Sequence, residues 1–436
     1  MKRTTWRWIA AASCLLAAGA LPAARRPHYG GTLRVELSAA FSPDPAKWPV
    51  LAPALAARDR IMEQVFETLV RLNDKGVPEP ALAVSWTHEP ALKRWVFTPR
   101  PNVRLHNGAL WEPEAGALSV PDQRPIEEIL RRLADPRNAV VVRGEDGALA
   151  GTGPFRIDKW GAGKLLKLSA HEAYWGGRPF LDSVEIQMAR PWRNQALDFE
   201  SGAADVIELS LEEERRVRQR GGRTRVSAPR ETLALVFRSD SAVPEPARRA
   251  LALSIDRGSI HSVLLQKQGE ATGALLPQWL SGYAFLFPAE RDRIAARRMA
   301  GAPATITFEH EGGDALLRLI AERIALNASE AGITLRAPSP GARADVRLTR
   351  LHMSSLDPVQ ALEDLAATVK TPVEAAATEP YPMESLLLEG ARIIPLFHLP
   401  SACQIGPRVR NWPEGRWTRT GRWQLDDVWL EENGQP

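Results

Sequence analysis

The stretch GTGPFRIDKWGAGKLLKLSAHEAYWGGRPFLDSVEIQ, from Gly151 to Gln187, constrains this chain more than any other. Gly151 and Gly153 are read as positions whose backbone angles other residues resist, and Pro154 fixes the φ that follows. Phe155 and Ile157 alternate with Arg156 and Asp158, which is the period of a half-buried strand. Gly161 and Gly163 supply a turn, and Leu165, Leu166 and Leu168 return as a second strand. The run Tyr174-Trp175-Gly176-Gly177-Arg178-Pro179 is a rigid aromatic corner before a third strand, Ser183 to Met188. Elementary physics therefore predicts a β-meander with a fixed corner.

The chain has 436 residues, too many for one small core and suited to two or three lobes. Apolar residues make up 44%, so a sizeable core is available and disorder is not expected. The formal charge is +4, and Lys2, Arg3 and Arg7 supply three of those positives with no acid before residue 25. The remainder is near neutral and gives no electrostatic case for nucleic acid. Residues 1–24 read as a cleaved secretory signal: a basic start, the apolar run Ile9 to Leu21, and the small-residue site Ala20-Leu21-Pro22-Ala23-Ala24. Cys14 raises lipidation, which Ala11 at the position of a usual bulky aliphatic disfavours. Cys403 is then the sole mature cysteine, so no intramolecular disulfide is expected and packing is its expected role.

Chemistry-bearing patterns are missing. The eight histidines are dispersed, and no HExxH or CxxC occurs. There is no GxSxG elbow, phosphate loop or GxGxxG, and no carboxylate spacing singles out an acid/base pair. The expectation is no catalytic residue, no metal, no cofactor and no enzymatic activity.

Other motifs are ordered around the central stretch. Gly30-Gly31-Thr32-Leu33-Arg34-Val35 opens a first strand, and the loop from Ser38 to Trp48 contains Asp44-Pro45. Ile61, Val65, Phe66, Leu69 and Val70 have helical spacing across Ile61 to Leu72. Pro80-Ala81-Leu82-Ala83-Val84-Ser85-Trp86 and Leu105-His106-Asn107-Gly108 follow. Leu233 to Phe237 is a buried-type strand, and Asp256 is placed to cap the helix after it. Thr305 to Phe308, the amphipathic helix Ala315 to Ala328 (with Leu316, Leu319, Ile320, Ile324 and Ala328 on one face) and Gly332 to Leu335 form a strand–helix–strand unit. Asp345, Asp357-Pro358 and Ile393-Ile394-Pro395-Leu396-Phe397 come next, and Gly421 to Leu430 closes the chain.

In this order and spacing the chain resembles the extracellular solute-binding proteins of ABC importers, the peptide and nickel class (family 5). That family carries G-T-G-P-[FY], then Y-W-G-G-[RK]-P and a D-x-V strand. This chain departs in several places, among them Arg238 where the family has Asn and Pro246 at or near the Asp of its D-x-R. The peripheral subdomain after His106-Asn107-Gly108 is reduced, and so is Val359 to Gly390. Leu351 and Ser355 stand where the family has aromatics.

The resemblance implies an α/β fold of two lobes with mixed sheets and a hinge, in the manner of the large periplasmic peptide-binding proteins. The implied division is a leader at 1–24, lobe 1 at 29–232, lobe 2 at 233–397 and a return to lobe 1 at 398–436. It implies a monomeric, periplasmic or secreted receptor that captures a small peptide or similar solute in an interlobe cleft. Its partners would be ABC permease membrane subunits, with no nucleic acid. Ligand-binding residues expected from it are Phe41, Trp48, Arg238, Trp279 and Tyr283. Arg238 could hold a carboxylate as a planar, permanently charged fork. The lost aromatics leave open a second reading, a paralogue that binds nothing and serves as an envelope scaffold or sensor partner.

Overall fold

Gly151 and Gly153 are required by contact rather than by backbone angle. In the computed structural model neither has a positive φ, but a Cβ on Gly151 would lie 2.1 Å from the Val65 carbonyl oxygen and one on Gly153 2.5 Å from that of Gln64. The model describes residues 26–47, 52–73, 75–114, 118–283, 287, 289–312, 314–370, 379–412 and 421–431. The expected leader and Trp48 lie outside these residues.

The segment pressed against the two glycines is not the helix its spacing predicts. Helix α1 spans Ala52–Ile61 and stops there, followed by a single 3-10 turn, Met62–Gln64. The Gly153 amide donates to the Val65 carbonyl at 3.1 Å, so that oxygen is satisfied from outside the helix. Val65 and Phe66 are still buried in the core, which is why an apolar spacing of helical type survives in an irregular segment. Three motifs lock together here. The His106 Nδ1 accepts from the Gly151 amide at 3.1 Å, which leaves Nε2 as the donor to the Gly153 carbonyl at 3.0 Å. The His171 Nδ1 lies 3.1 Å from the same oxygen.

The aromatic corner has a polar partner as well. The Tyr174 hydroxyl and the Trp175 indole each donate to the Glu67 carboxylate at 2.9 Å. Burial raises this carboxyl to about 7, against the pull of those two donors. Between its unfolded value near 4.5 and about 7, the folded state therefore holds a proton that the unfolded chain has lost. Stability should fall across that window as pH rises, by about 3 kcal/mol. Urea titrations between pH 5 and pH 8 check this: the decline is expected in the wild type and absent in Glu67→Gln.

The strands of the two large sheets, in chain order, are β1 (Thr32–Glu36), β2 (Phe155–Gly161), β3 (Leu165–Ala170), β4 (Ser183–Gln187), β5 (Val206–Leu209), β6 (Thr224–Val226), β7 (Glu231–Phe237), β8 (Glu270–Ala271), β9 (Ala304–His310), β10 (Ile333–Arg336), β11 (Val346–His352), β12 (Ile393–Leu399) and β13 (Ala402–Ile405). They form two mixed sheets. One has the order β6-β13-β5-β1-β4-β3-β2, with β1 parallel to β4 and β5. The other has the order β8-β12-β7-β11-β9-β10, with β9 parallel to β10 and β11. Each sheet has its own apolar core. The first contains Leu33, Val35, Phe155, Leu168, Val184 and Cys403, together with Trp423 and Leu425 from the closing segment. The second contains Leu235, Phe237, Ile306, Ile320, Ile324 and Leu348.

The helix Ala315–Glu330 turns Leu317, Ile320, Ala321, Ile324 and Ala328 inward, whereas Leu319 is exposed and Leu316 half-buried. Its buried stripe is thus rotated from the predicted one by about a sixth of a turn. Asp256 does cap its helix, accepting from the Ser259 amide at 2.8 Å. In Asp357-Pro358 the aspartate accepts from the Gln360 amide at 2.8 Å and the proline begins the helix Pro358–Val369.

Candidate functional site

The chain passes from the first sheet to the second between β6 and β7, and returns between β12 and β13. The two passages run side by side. The Ser227 amide donates to the Ser401 carbonyl at 2.9 Å, the Ser401 amide to the Ser227 hydroxyl at 3.0 Å, and the Arg230 amide to the Leu399 carbonyl at 3.1 Å. Paired backbone at a two-strand connection forms a narrow neck about which the sheets can rotate.

Next to this neck, α1 of the first lobe packs on β11 of the second, and charged side chains fill the contact. Asp59 is buried. It accepts from Arg58 Nε at 2.8 Å, lies 3.1 Å from His352 Nε2 and 3.8 Å from the nearest Arg230 nitrogen. Burial alone would raise the Asp59 carboxyl, but Arg58, His352 and Arg230 outweigh it and hold it well below the ordinary range. The same burial keeps His352 below its ordinary value despite the Asp59 hydrogen bond, so it is a neutral donor at pH 7. Arg230 is buried, and its Nη2 donates to the Met353 carbonyl. Its Nε and Nη1 have no acceptor among the described residues.

Beside this set, Arg60 pairs with Glu208, which also accepts from the Ser38 amide and hydroxyl at 2.5 and 2.6 Å. Further out, Arg137 bridges Asp135 and Asp364, at 2.8 Å to each, and joins the first lobe's periphery to the helix Pro358–Val369. An apolar patch of Leu72, Ala134, Leu356 and Trp279 lies in the same contact. A cavity of about 70 Å³ remains at the neck, lined from both sheets by residues that include Ser38, Arg60, Glu208, Glu231, Arg350 and Ser401. Among the described residues no group of three or more His, Cys, Asp or Glu side chains is placed to hold a metal ion. No helix among them is long and apolar enough to cross a membrane.

The residues expected from sequence scatter over this framework. Phe41 is 4% exposed and packs in the first core. Arg238 lies at the far end of β7 from the neck, pairs with Asp240 and donates to the Arg343 carbonyl at 3.2 Å. Tyr283 donates to Glu384 within the second lobe, and its ring meets Tyr381 edge-on at 5.5 Å. Trp279 alone of the described four sits between the lobes, its indole donating to the Pro229 carbonyl at 2.9 Å. The residues that do converge, Arg58, Asp59, Arg60, Glu208, Arg230, Glu231 and His352, were not singled out in advance. One signal was available: Arg58-Asp59-Arg60 is a charged triplet between Ala56-Ala57 and Ile61-Met62, which makes no sense on a buried helix unless each charge finds a partner.

Known proteins resemble this chain along most of its length. The model of the bacterial extracellular solute-binding proteins, family 5 Middle, matches residues 118–337. The nickel-binding periplasmic protein of Escherichia coli K12 is 24% identical over 360 residues, which cover 65% of this chain and 68% of that protein. The peptide transport periplasmic protein SapA of Salmonella typhimurium is 26% identical over 29% of this chain and only 24% of its own length. Among solved structures, Haemophilus influenzae OppA in complex with the peptide RPPGFSPFR superposes with a TM-score of 0.75 at 15% identity, covering 93% of this chain and all of the other. Staphylococcus aureus NikA in complex with Ni(L-His)2 gives 0.72 at 16% identity, with 92% of this chain and all of the other covered. At such identities the superpositions establish the two-lobed binding-protein fold.

Proposed function

This chain belongs to the bacterial extracellular solute-binding proteins of family 5, and from that premise we infer that it is a non-enzymatic receptor which captures a small solute between its lobes. The captured solute would be handed to the membrane subunits of an ABC importer, on the periplasmic or outer side of the membrane. The observation that carries this reading is the neck: two adjacent backbone passages, with a charged contact and a cavity beside them lined from both sheets. Such a construction lets the lobes part and close as a population shift biased by whatever the cavity holds. The named relatives bind peptides or nickel, so either class is a candidate here.

A second reading, a scaffold or sensor partner that traps nothing, is favoured by one feature. The contact between α1 and β11 is filled by the chain's own ion pairs, so the lobes meet without a guest. Thermal-shift and calorimetric titration of the mature chain against di- and tripeptides, nickel–histidine and small organic ions separates the two. Saturable binding with a fall in the radius of gyration by X-ray scattering supports capture. No binding across the panel favours the scaffold.

A further inference from the structure

Another cavity, of about 780 Å³, lies within the second lobe. It sits at the opposite end of β12 from the neck. Ile393, in its lining, pairs with Val236, whereas Leu399 pairs with Glu231 and its carbonyl accepts the Arg230 amide at the neck. The walls come from the helices Glu245–Ser254, Arg293–Ala300 and Pro380–Leu388 and from the start of β12. They are mostly apolar, with Leu253, Phe287, Met299, Tyr381, Leu386 and Ile393 among them. Met299, Tyr381 and Leu386 are 38%, 44% and 46% exposed, so the fold leaves three large apolar side chains to water around one cavity. Its volume falls in the range of small-molecule sites, about 300–1,000 Å³.

Arg257 lines the same cavity and is 4% exposed. Its Nε and Nη2 donate to the Pro395 carbonyl at 3.1 and 2.8 Å, and its Nη1 to the carbonyls of Ala252 and Ala289 at 3.3 and 3.1 Å. A guanidinium has five N–H groups, so these four bonds leave at least one without an acceptor among the described residues. All of the acceptors are neutral. Burial alone moves the Arg257 pKa, down to about 10, and no acid acts to raise it again. The side chain is therefore charged at neutral pH and lacks a counter-charge. The other charges of the lining do not supply one. Arg249 pairs with Glu245 at 2.7 Å, and the Glu389 carboxylate is exposed to solvent.

A buried cation with no anion is costly, and a carboxylate offsets that cost with charge-assisted hydrogen bonds. Apolar walls left open to water favour a ligand that covers them. We propose that this cavity binds a free straight-chain carboxylate, with its head group at Arg257 and its alkyl chain along Met299, Tyr381 and Leu386. The site is separate from the contact between the lobes, and it stands whether or not the lobes capture a solute.

The test is calorimetric titration of the mature chain with decanoate, set against decan-1-ol, decyltrimethylammonium and acetate. Decanoate is expected to bind at one site, and each of the other three at least tenfold more weakly or not at all. Arg257→Gln should weaken decanoate about tenfold or more. Leu386→Asp changes a half-exposed wall residue, spares the core, and should also weaken decanoate about tenfold, so it decides the matter if Arg257→Gln fails to fold. Decan-1-ol or decyltrimethylammonium binding as tightly as decanoate would overturn the carboxylate assignment. Acetate binding as tightly would overturn the role of the walls. No binding of decanoate, or an affinity unchanged in Leu386→Asp, would overturn the site itself.

Discussion

Gly151→Ala is expected to yield little soluble protein, and what is recovered should unfold at much lower urea than the wild type. The added methyl would meet the Val65 carbonyl oxygen at 2.1 Å and Phe66 Cδ1 at 2.7 Å. The first of these is backbone, so it cannot swing aside as a flexible side chain could. Relief requires moving the 64–66 segment, and that segment carries buried core residues and the acceptor of the Gly153 amide. Overpacking of this sort costs about 3 kcal/mol or more. Gly147→Ala is the matched control. Gly147 has a φ of +79° but open space around the missing Cβ, so only backbone strain applies, about 1–2 kcal/mol. Equal losses in the two variants, measured as urea midpoints, would show that close approach is not what selects glycine at 151.

Asp59→Ala should destabilise the contact between the lobes more than any other single change there. The carboxylate is the counter-charge that Arg58 and Arg230 share, and all three side chains are buried. Removing one partner from a buried ionic set leaves uncompensated charge and costs about 3–5 kcal/mol. His352→Ala removes a hydrogen bond from a neutral ring and should cost about 1–2 kcal/mol. The two changes share a contact and should therefore be strongly non-additive in a double-mutant cycle.

The pH dependence has a definite sign. The folded Asp59 carboxyl is depressed below its unfolded value of 3.8, so its contribution is present above that pH and lost as pH falls below it. Acid should thus part the lobes of the wild type, seen as a rise in the radius of gyration, and Asp59→Ala should already be parted at pH 7. A variant as stable and as compact as the wild type would show that the ionic set does not hold the lobes together.

Fold class and family were legible because they rest on local chemistry repeated in order. The Tyr-Trp-Gly-Gly-Arg-Pro corner and the Asp-Pro steps at 44–45 and 357–358 each specify a backbone event within a few residues. The caps at Asp256 and Asp357 were legible for the same reason, since a side chain bonding an amide three residues on leaves its mark in sequence. The segment Ile61 to Leu72 misleads for the opposite reason. Helical spacing records which residues are buried, and here burial is imposed by the glycines of a stretch nearly ninety residues later rather than by a helix.

By itself, then, the sequence determined the two-lobed α/β class, the meander and its corner, and the helix caps, because each is encoded in neighbouring residues. Only the tertiary structure decided why Gly151 and Gly153 are glycine, where Phe41, Arg238, Trp279 and Tyr283 stand, and which charges meet at the neck. Asp59 and His352 are separated by 293 positions, and Arg60 and Glu208 come from different elements. No local rule selects the partner of a buried charge. It is selected by the low-dielectric contact that closing two separate cores against each other creates.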